Sequence, residues 1–158
     1  MRKTSTGRPY RVGRSRAGLG VFATDFIPKG KFIIEYTGRK LTNEQADRNE
    51  NRYLFELNNR WTIDGKSRKN IARYINHSCR PNAEVYFVGH KIKIRARRNI
   101  KPGEELGYDY GKDHFDAYIK PKGCMCLKCI EKRREARRTK RRGKARTASR
   151  AKRGSKRR

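Results

Sequence analysis

Between Leu19 and Tyr110 the chain is cut by turn signals into runs too short for long helices. Ile27-Pro28-Lys29-Gly30, Asn58-Asn59, Gly89-His90 and Lys101-Pro102-Gly103 are the cuts. Proline presets φ for a turn, and glycine and asparagine tolerate the left-handed conformations that tight hairpins need. The runs left between them are β-rich: Leu19–Thr24, Phe32–Thr37, Tyr53–Leu57, Arg60–Asp64, Glu84–Val88, Lys91–Ala96 and Glu104–Tyr110. Lys91-Ile92-Lys93-Ile94-Arg95-Ala96 alternates, which predicts one buried face and one basic face. Thr42-Asn43-Glu44-Gln45 reads as a capping box opening a short helix to about Asn51. There is no internal repeat. The pattern predicts a mainly β domain of several small sheets and argues against alternating β and α units.

The 158 residues carry 44 Lys or Arg against 15 acids, a net charge of +29. Such a charge predicts attraction to polyanions. It is uneven. Residues 131–158 hold sixteen Lys or Arg and two acids, Glu131 and Glu135, with no large apolar residue. That segment cannot bury enough surface to offset chain entropy, so beyond an initial helical stretch it is expected to be disordered in isolation. It reads as a nucleic-acid-binding arm similar to linker-histone tails. Met1–Arg16 adds six basic residues and no acid. No apolar run is long enough for a membrane helix, and no secretory signal is evident. The expected location is intracellular: nucleus and chromatin, or bacterial cytoplasm and nucleoid.

Three segments carry residues suited to chemistry. Cys124-Met125-Cys126-Leu127-Lys128-Cys129 is a C-x-C-x-x-C cluster. In a reducing compartment this spacing favours Zn²⁺, with Cys79 able to complete a four-thiolate set; free thiols or a redox cluster are the alternatives. Asn76-His77-Ser78-Cys79-Arg80-Pro81-Asn82 packs five hydrogen-bonding or ligand side chains around a proline turn. Gly103-Glu104-Glu105-Leu106-Gly107-Tyr108-Asp109-Tyr110 sets two tyrosines on one side of a strand. With Tyr36 and Tyr53 they offer up to four phenols to one site, or simply an aromatic core.

Together with Gly18-Leu19-Gly20, Glu35-Tyr36-Thr37-Gly38 and Tyr53-Leu54-Phe55, these motifs resemble the SET-domain protein-lysine methyltransferases from about Tyr10 to Ile130. The resemblance implies short curved β-sheets around a pseudoknot, in which the segments ending at Asn82 and carrying Tyr108–Tyr110 thread together. It implies S-adenosylmethionine held by backbone around Ala17, Gly18 and Leu19 and by Tyr53, Asn76 and His77. It implies a substrate-lysine channel lined by Tyr36, Tyr108 and Tyr110, with Tyr110 the principal catalytic residue. It also implies one structural zinc on Cys79, Cys124, Cys126 and Cys129, the last three forming a post-SET segment. The organisation expected is a basic lead-in at 1–10, a SET domain at 11–115, a post-SET zinc segment at 116–130 and a basic tail at 131–158.

The match departs from the family in three places. Two residues, not the usual four, precede the third clustered cysteine. Gly107 stands where Thr is common, and Tyr74 where Phe is common. The function expected is S-adenosylmethionine-dependent mono- or dimethylation of a lysine in a histone or other basic nucleic-acid-associated protein. The alternative is a catalytically weak chromatin- or nucleoid-binding protein on the same scaffold. A third reading is a methyltransferase whose substrate is not a histone, such as a basic ribosomal protein.

Overall fold

A computed structural model describes residues 7–49 and 51–155, with side chains described up to Ala145. The first six residues of the expected lead-in and the last three of the tail lie outside the described residues. The chain divides into two compact units at Cys126/Leu127.

In the first unit, β1 (Tyr10–Ser15) and β2 (Gly18–Ala23) form an antiparallel hairpin with Arg16-Ala17 at its tip. β3 (Phe32–Tyr36) and β4 (Arg39–Thr42) follow, then α1 (Asn43–Asp47). The α1 capping box is formed in both directions: Thr42 Oγ1 accepts from Gln45 N–H, and Gln45 Oε1 accepts from Thr42 N–H. The helix stops at Asp47, one turn short of the expected Asn51; Asn49 and Asn51 turn instead into local hydrogen bonds. β5 (Leu54–Glu56) and β6 (Trp61–Asp64) flank the Asn58-Asn59 turn, with β6 central in the sheet β4-β6-β5.

A single 3₁₀ turn (Ile71–Tyr74) leads into the two-residue β7 (Asn76–His77). β8 (Ala83–Val88) and β9 (Lys91–Ala96) form the second hairpin, and β9 lies between β3 and β8. The alternation on β9 falls as expected: Ile92, Ile94 and Ala96 are buried, while Lys91 and Arg95 are exposed. β10 (Gly107–Tyr108) pairs in parallel with β7. Past it, α2 (Lys112–His114) runs through a π turn (Phe115–Ile119) into a 3₁₀ turn (Lys120–Lys122).

Among the described residues of this first unit the architecture is therefore mainly β: four small sheets and few short helices. Val21 of β2, Ile92 and Ile94 of β9, and Ile27, Ile75, Ile100 and Leu106 of the connecting segments form its fully buried centre. No sheet is large enough to bury a face alone, so the core exists only where all of them meet.

The second unit is α3 (Leu127–Ser155). It extends well past an initial helical stretch. Lys, Arg and Ala are good helix formers, no proline interrupts them, and helix propensity needs no buried face. Every residue from Glu131 to Ala145 is exposed.

Candidate active site and cysteine cluster

The parallel pairing of β7 with β10 creates the site. It places Asn76 opposite Gly107 and His77 opposite Tyr108, joining segments about thirty residues apart. Ser78 N–H donates to Tyr108 O at 3.0 Å and Asn82 N–H to Gly107 O at 3.2 Å. The buried Asn82 side chain stitches them further, donating to Glu105 O and accepting from Gly107 N–H, both at 2.9 Å. Gly107 is needed here: a Cβ would sit 2.9 Å from Ser78 Cβ and 3.3 Å from Asn76 O. A side chain at this position would require the two paired segments to shift apart.

Asn76 points from β7 to the first hairpin. Its Nδ2 donates to Leu19 O and to Glu105 Oε1, each at 2.9 Å. Ser15 Oγ donates to the same Glu105 oxygen at 2.6 Å. Leu19 and Asn76 are thus brought together, with Gly18 at φ +111° and Ala17 exposed beside them at the hairpin tip. Glu105 organises this corner and was not among the expected site residues. Its only sequence signal was membership of the Glu-Glu-Leu run.

The phenols form a second cluster. Tyr108 packs against Tyr110 with the rings tilted and centroids 4.8 Å apart, and Phe55 bridges Tyr36 (5.2 Å) and Tyr108 (6.2 Å). Tyr36 Oη donates to Tyr53 O at 2.8 Å; Tyr110 Oη donates to Ile75 O at 2.6 Å. Burial raises all three phenols, Tyr36, Tyr108 and Tyr110, well above the ordinary tyrosine value of 10. They are neutral donors at any physiological pH. Gly65 clears space for the Tyr36 ring, which would collide with any side chain there.

Tyr53 is set differently. Burial alone would raise its phenol, but hydrogen bonds from Arg52 and Arg73 outweigh it and lower the value. Arg52 Nη2 donates to its hydroxyl at 3.0 Å, and the Arg73 guanidinium lies 4.0 Å above its ring. Its backbone is fixed by Asn51 Oδ1, which accepts Tyr53 N–H; Asn51 in turn donates to buried Asp64. Buried Asn70 adds a brace, accepting Thr37 N–H and donating to Gly65 O. Phe55, Asp64 and Asn70 were absent from the expected set. Each acts across a long sequence separation; Phe55 closes the Tyr53-Leu54-Phe55 motif, and Asp64 and Asn70 have no local signature.

The His77 side chain is 6 % exposed, and burial lowers its pKa below the ordinary 6.5, against a smaller raising effect of Asp109. Its ring lies between Tyr110 and Cys79: Tyr110 N–H donates to Nδ1 at 3.3 Å, and Nε2 is 3.2 Å from Cys79 Sγ.

The sulfurs of Cys79, Cys124, Cys126 and Cys129 all lie within 4.8 Å of one another. Cys79 and Cys124 are 3.9 Å apart, far beyond disulfide length. A zinc with four thiolates at about 2.3 Å requires sulfurs roughly 3.8 Å apart. The donor set therefore fits one tetrahedral zinc, and the shortened spacing before Cys129 does not take it out of reach.

Comparison with known proteins agrees with this geometry. The SET domain family profile matches residues 18–111. Histone-lysine N-methyltransferase Set2 of Drosophila melanogaster is 37 % identical over 135 residues, covering 73 % of this chain and 6 % of the relative. Histone-lysine N-methyltransferase EHMT1 of Homo sapiens is 37 % identical over 122 residues, covering 69 % and 9 %. Human histone-lysine N-methyltransferase 2D is 42 % identical over 132 residues, covering 75 % and 2 %. The chain thus spans less than a tenth of the length of these relatives. A solved structure of a humanized mutant of the Chaetomium thermophilum Polycomb Repressive Complex 2, bound to an inhibitor, matches with a TM-score of 0.59 and 36 % identity, covering 66 % of this chain and 15 % of that one. The chain belongs to the SET domain family.

Proposed function

We propose that this protein is an S-adenosylmethionine-dependent protein-lysine N-methyltransferase. Its substrate is a histone or another basic, nucleic-acid-associated protein. The observation that carries the reading is the convergence of neutral phenols on Tyr36, Tyr108 and Tyr110 beside the Asn76–Leu19 corner. Names of the matched relatives, all histone-lysine N-methyltransferases, support it and favour an intracellular, chromatin-type location.

Bound S-adenosylmethionine would supply a methyl group on a sulfonium. Backbone around Ala17, Gly18 and Leu19, together with Tyr53, Asn76 and the His77 backbone, would hold it. The phenols have a separate task. A lysine of pKa about 10.4 costs about 4.6 kcal/mol to neutralise at pH 7. A dry aromatic channel disfavours the ammonium form, and phenols that stay protonated place no anion there to restore it. Tyr110, whose hydroxyl is aimed by Ile75 O, orients the neutral amine; Tyr36 and Tyr108 wall the channel. Catalysis is then mainly alignment and water exclusion. The Tyr108 hydroxyl fills space that a methylated amine would need, favouring mono- and dimethyl products.

The cysteine cluster would hold one structural zinc in a post-SET segment. The basic tail, within α3, would carry the protein to nucleic acid. Support for this is compositional: sixteen cations in residues 131–158, with every side chain from Glu131 to Ala145 exposed.

The test is transfer of radiolabelled methyl from S-adenosylmethionine to core histones, to bacterial DNA-binding proteins, to ribosomal proteins and to the protein alone, with cofactor binding followed by calorimetry. Transfer to a basic protein is expected. No transfer to any of them and no cofactor binding would overturn the enzyme reading in favour of a binding protein on a SET scaffold.

A further inference from the structure

The His77 imidazole has each ring nitrogen facing a different part of the proposed machinery. Tyr110 N–H lies 3.3 Å from Nδ1. A backbone N–H can only donate, so Nδ1 supplies a lone pair and the neutral ring carries its hydrogen on Nε2. Nε2 is 3.2 Å from Cys79 Sγ. The rings of Phe115, at 5.0 Å, and Tyr110, at 5.6 Å, fix the imidazole plane. Asp109 Oδ1 is 3.7 Å from Nδ1, beyond hydrogen-bond reach, and accepts from Gly111 N–H instead.

We propose that His77 is a positioning residue that couples the cysteine cluster to Tyr110. Nε2–H donates to the Cys79 sulfur, and Nδ1 accepts the Tyr110 backbone N–H. The inference rests on the zinc reading of the cluster. Four thiolates around Zn²⁺ leave a net charge of about −2, and an N–H aimed at one sulfur disperses it and fixes that ligand's direction. On the other side, the lone pair fixes the peptide from which the Tyr110 phenol departs. The ring of His77 therefore serves the metal and the tyrosine, and its backbone remains available to the cofactor.

Two substitutions separate the functions in the zinc-loaded 158-residue chain. His77→Gln keeps an amide donor near the Nε2 position and loses the acceptor for Tyr110. His77→Asn keeps an acceptor near the Nδ1 position and is too short to reach the sulfur. Zinc release to a chromophoric chelator is measured without cofactor or substrate, and kcat and KM for methyl transfer are measured separately. His77→Asn is expected to release zinc about tenfold faster than wild type, and His77→Gln to release it at close to the wild-type rate. His77→Gln is expected to lower kcat about tenfold with little change in KM. Wild-type release rates in both variants, or equal acceleration in both with equal loss of thermal stability, would overturn the coupling. Wild-type protein lacking about one zinc per chain would overturn the zinc reading, and the coupling with it.

Discussion

The tyrosine cluster and helix α3 are built on opposite principles. The cluster joins Tyr36, Phe55, Tyr108 and Tyr110 from three strand regions by burial, ring contacts and single hydrogen bonds. Helix α3 runs 29 residues with its side chains exposed from Glu131 to Ala145, formed by local propensity and loaded with like charge. In the first region each atom has one place, so one substitution is costly. In the second the charges are interchangeable, and only their number counts. About half of the +29 belongs to the tail, so half of the chain's charge signal comes from a part whose cations act only by number.

The largest contrast is a deletion. Removing 131–158 is expected to weaken nucleic-acid binding by about 10³-fold or more at low salt while sparing methyl transfer to a short peptide. If half of the sixteen cations meet phosphates, log K against log salt should have a slope near −7 in the full chain. Any single Arg→Ala change in α3 should shift that slope by about one unit or less. Filter binding across a salt series would check this, and a deletion that leaves the slope unchanged would remove the contrast.

Next is a single oxygen atom in the folded unit. Tyr110→Phe removes the hydroxyl held by Ile75 O and is expected to lower kcat about a hundredfold, with cofactor affinity nearly unchanged. Steady-state kinetics and calorimetry would show the split.

A smaller change alters the product rather than the rate. Tyr108→Phe vacates space in the channel and should move the product toward trimethyl-lysine, read by mass spectrometry. Wild-type enzyme giving mainly trimethyl-lysine would contradict the role given to Tyr108.

The smallest effect is on alkaline stability. Burial raises the folded-state pKa of Tyr36, Tyr108 and Tyr110, so the folded chain keeps protons that the unfolded chain loses near pH 10. Their contribution is fully present below about pH 10 and is lost as pH rises further, because the unfolded state then binds fewer protons. The fall of Tm above pH 10 should be shallower in Tyr108→Phe than in wild type. The same shifts predict that methyl transfer rises with pH toward the substrate lysine's pKa, with no loss from phenol ionisation below about pH 10.

Local signals were legible in the sequence. The Thr42 capping box, the Asn58-Asn59 turn and the alternation of Lys91–Ala96 are each written within a few residues. The motif residues Asn76, Tyr108 and Tyr110 were legible through family resemblance, and the structure places them on adjoining segments. β1, β4 and β7 were not legible. β7 is two residues long and exists because β10 lies beside it. β1 is two-thirds arginine, serine and glycine, and its strand character comes from pairing with β2. Glu105, Phe55, Asp64 and Asn70 escaped for the same reason: their partners lie up to ninety residues away. The helical extent of α3 exceeds the initial stretch expected, because local propensity needs no core. Lys, Arg and Ala favour a helix without one.

The central claim is that the phenol cluster, and not the charge, performs the chemistry. Tandem mass spectrometry of core histones incubated with S-adenosylmethionine and either wild-type or Tyr110→Phe protein tests it most directly. The account predicts mono- and dimethylation confined to lysine with wild type, and almost none with Tyr110→Phe although the tail is intact. Equal lysine methylation by both proteins, or no methylated lysine on any basic protein offered to the wild type, would contradict it.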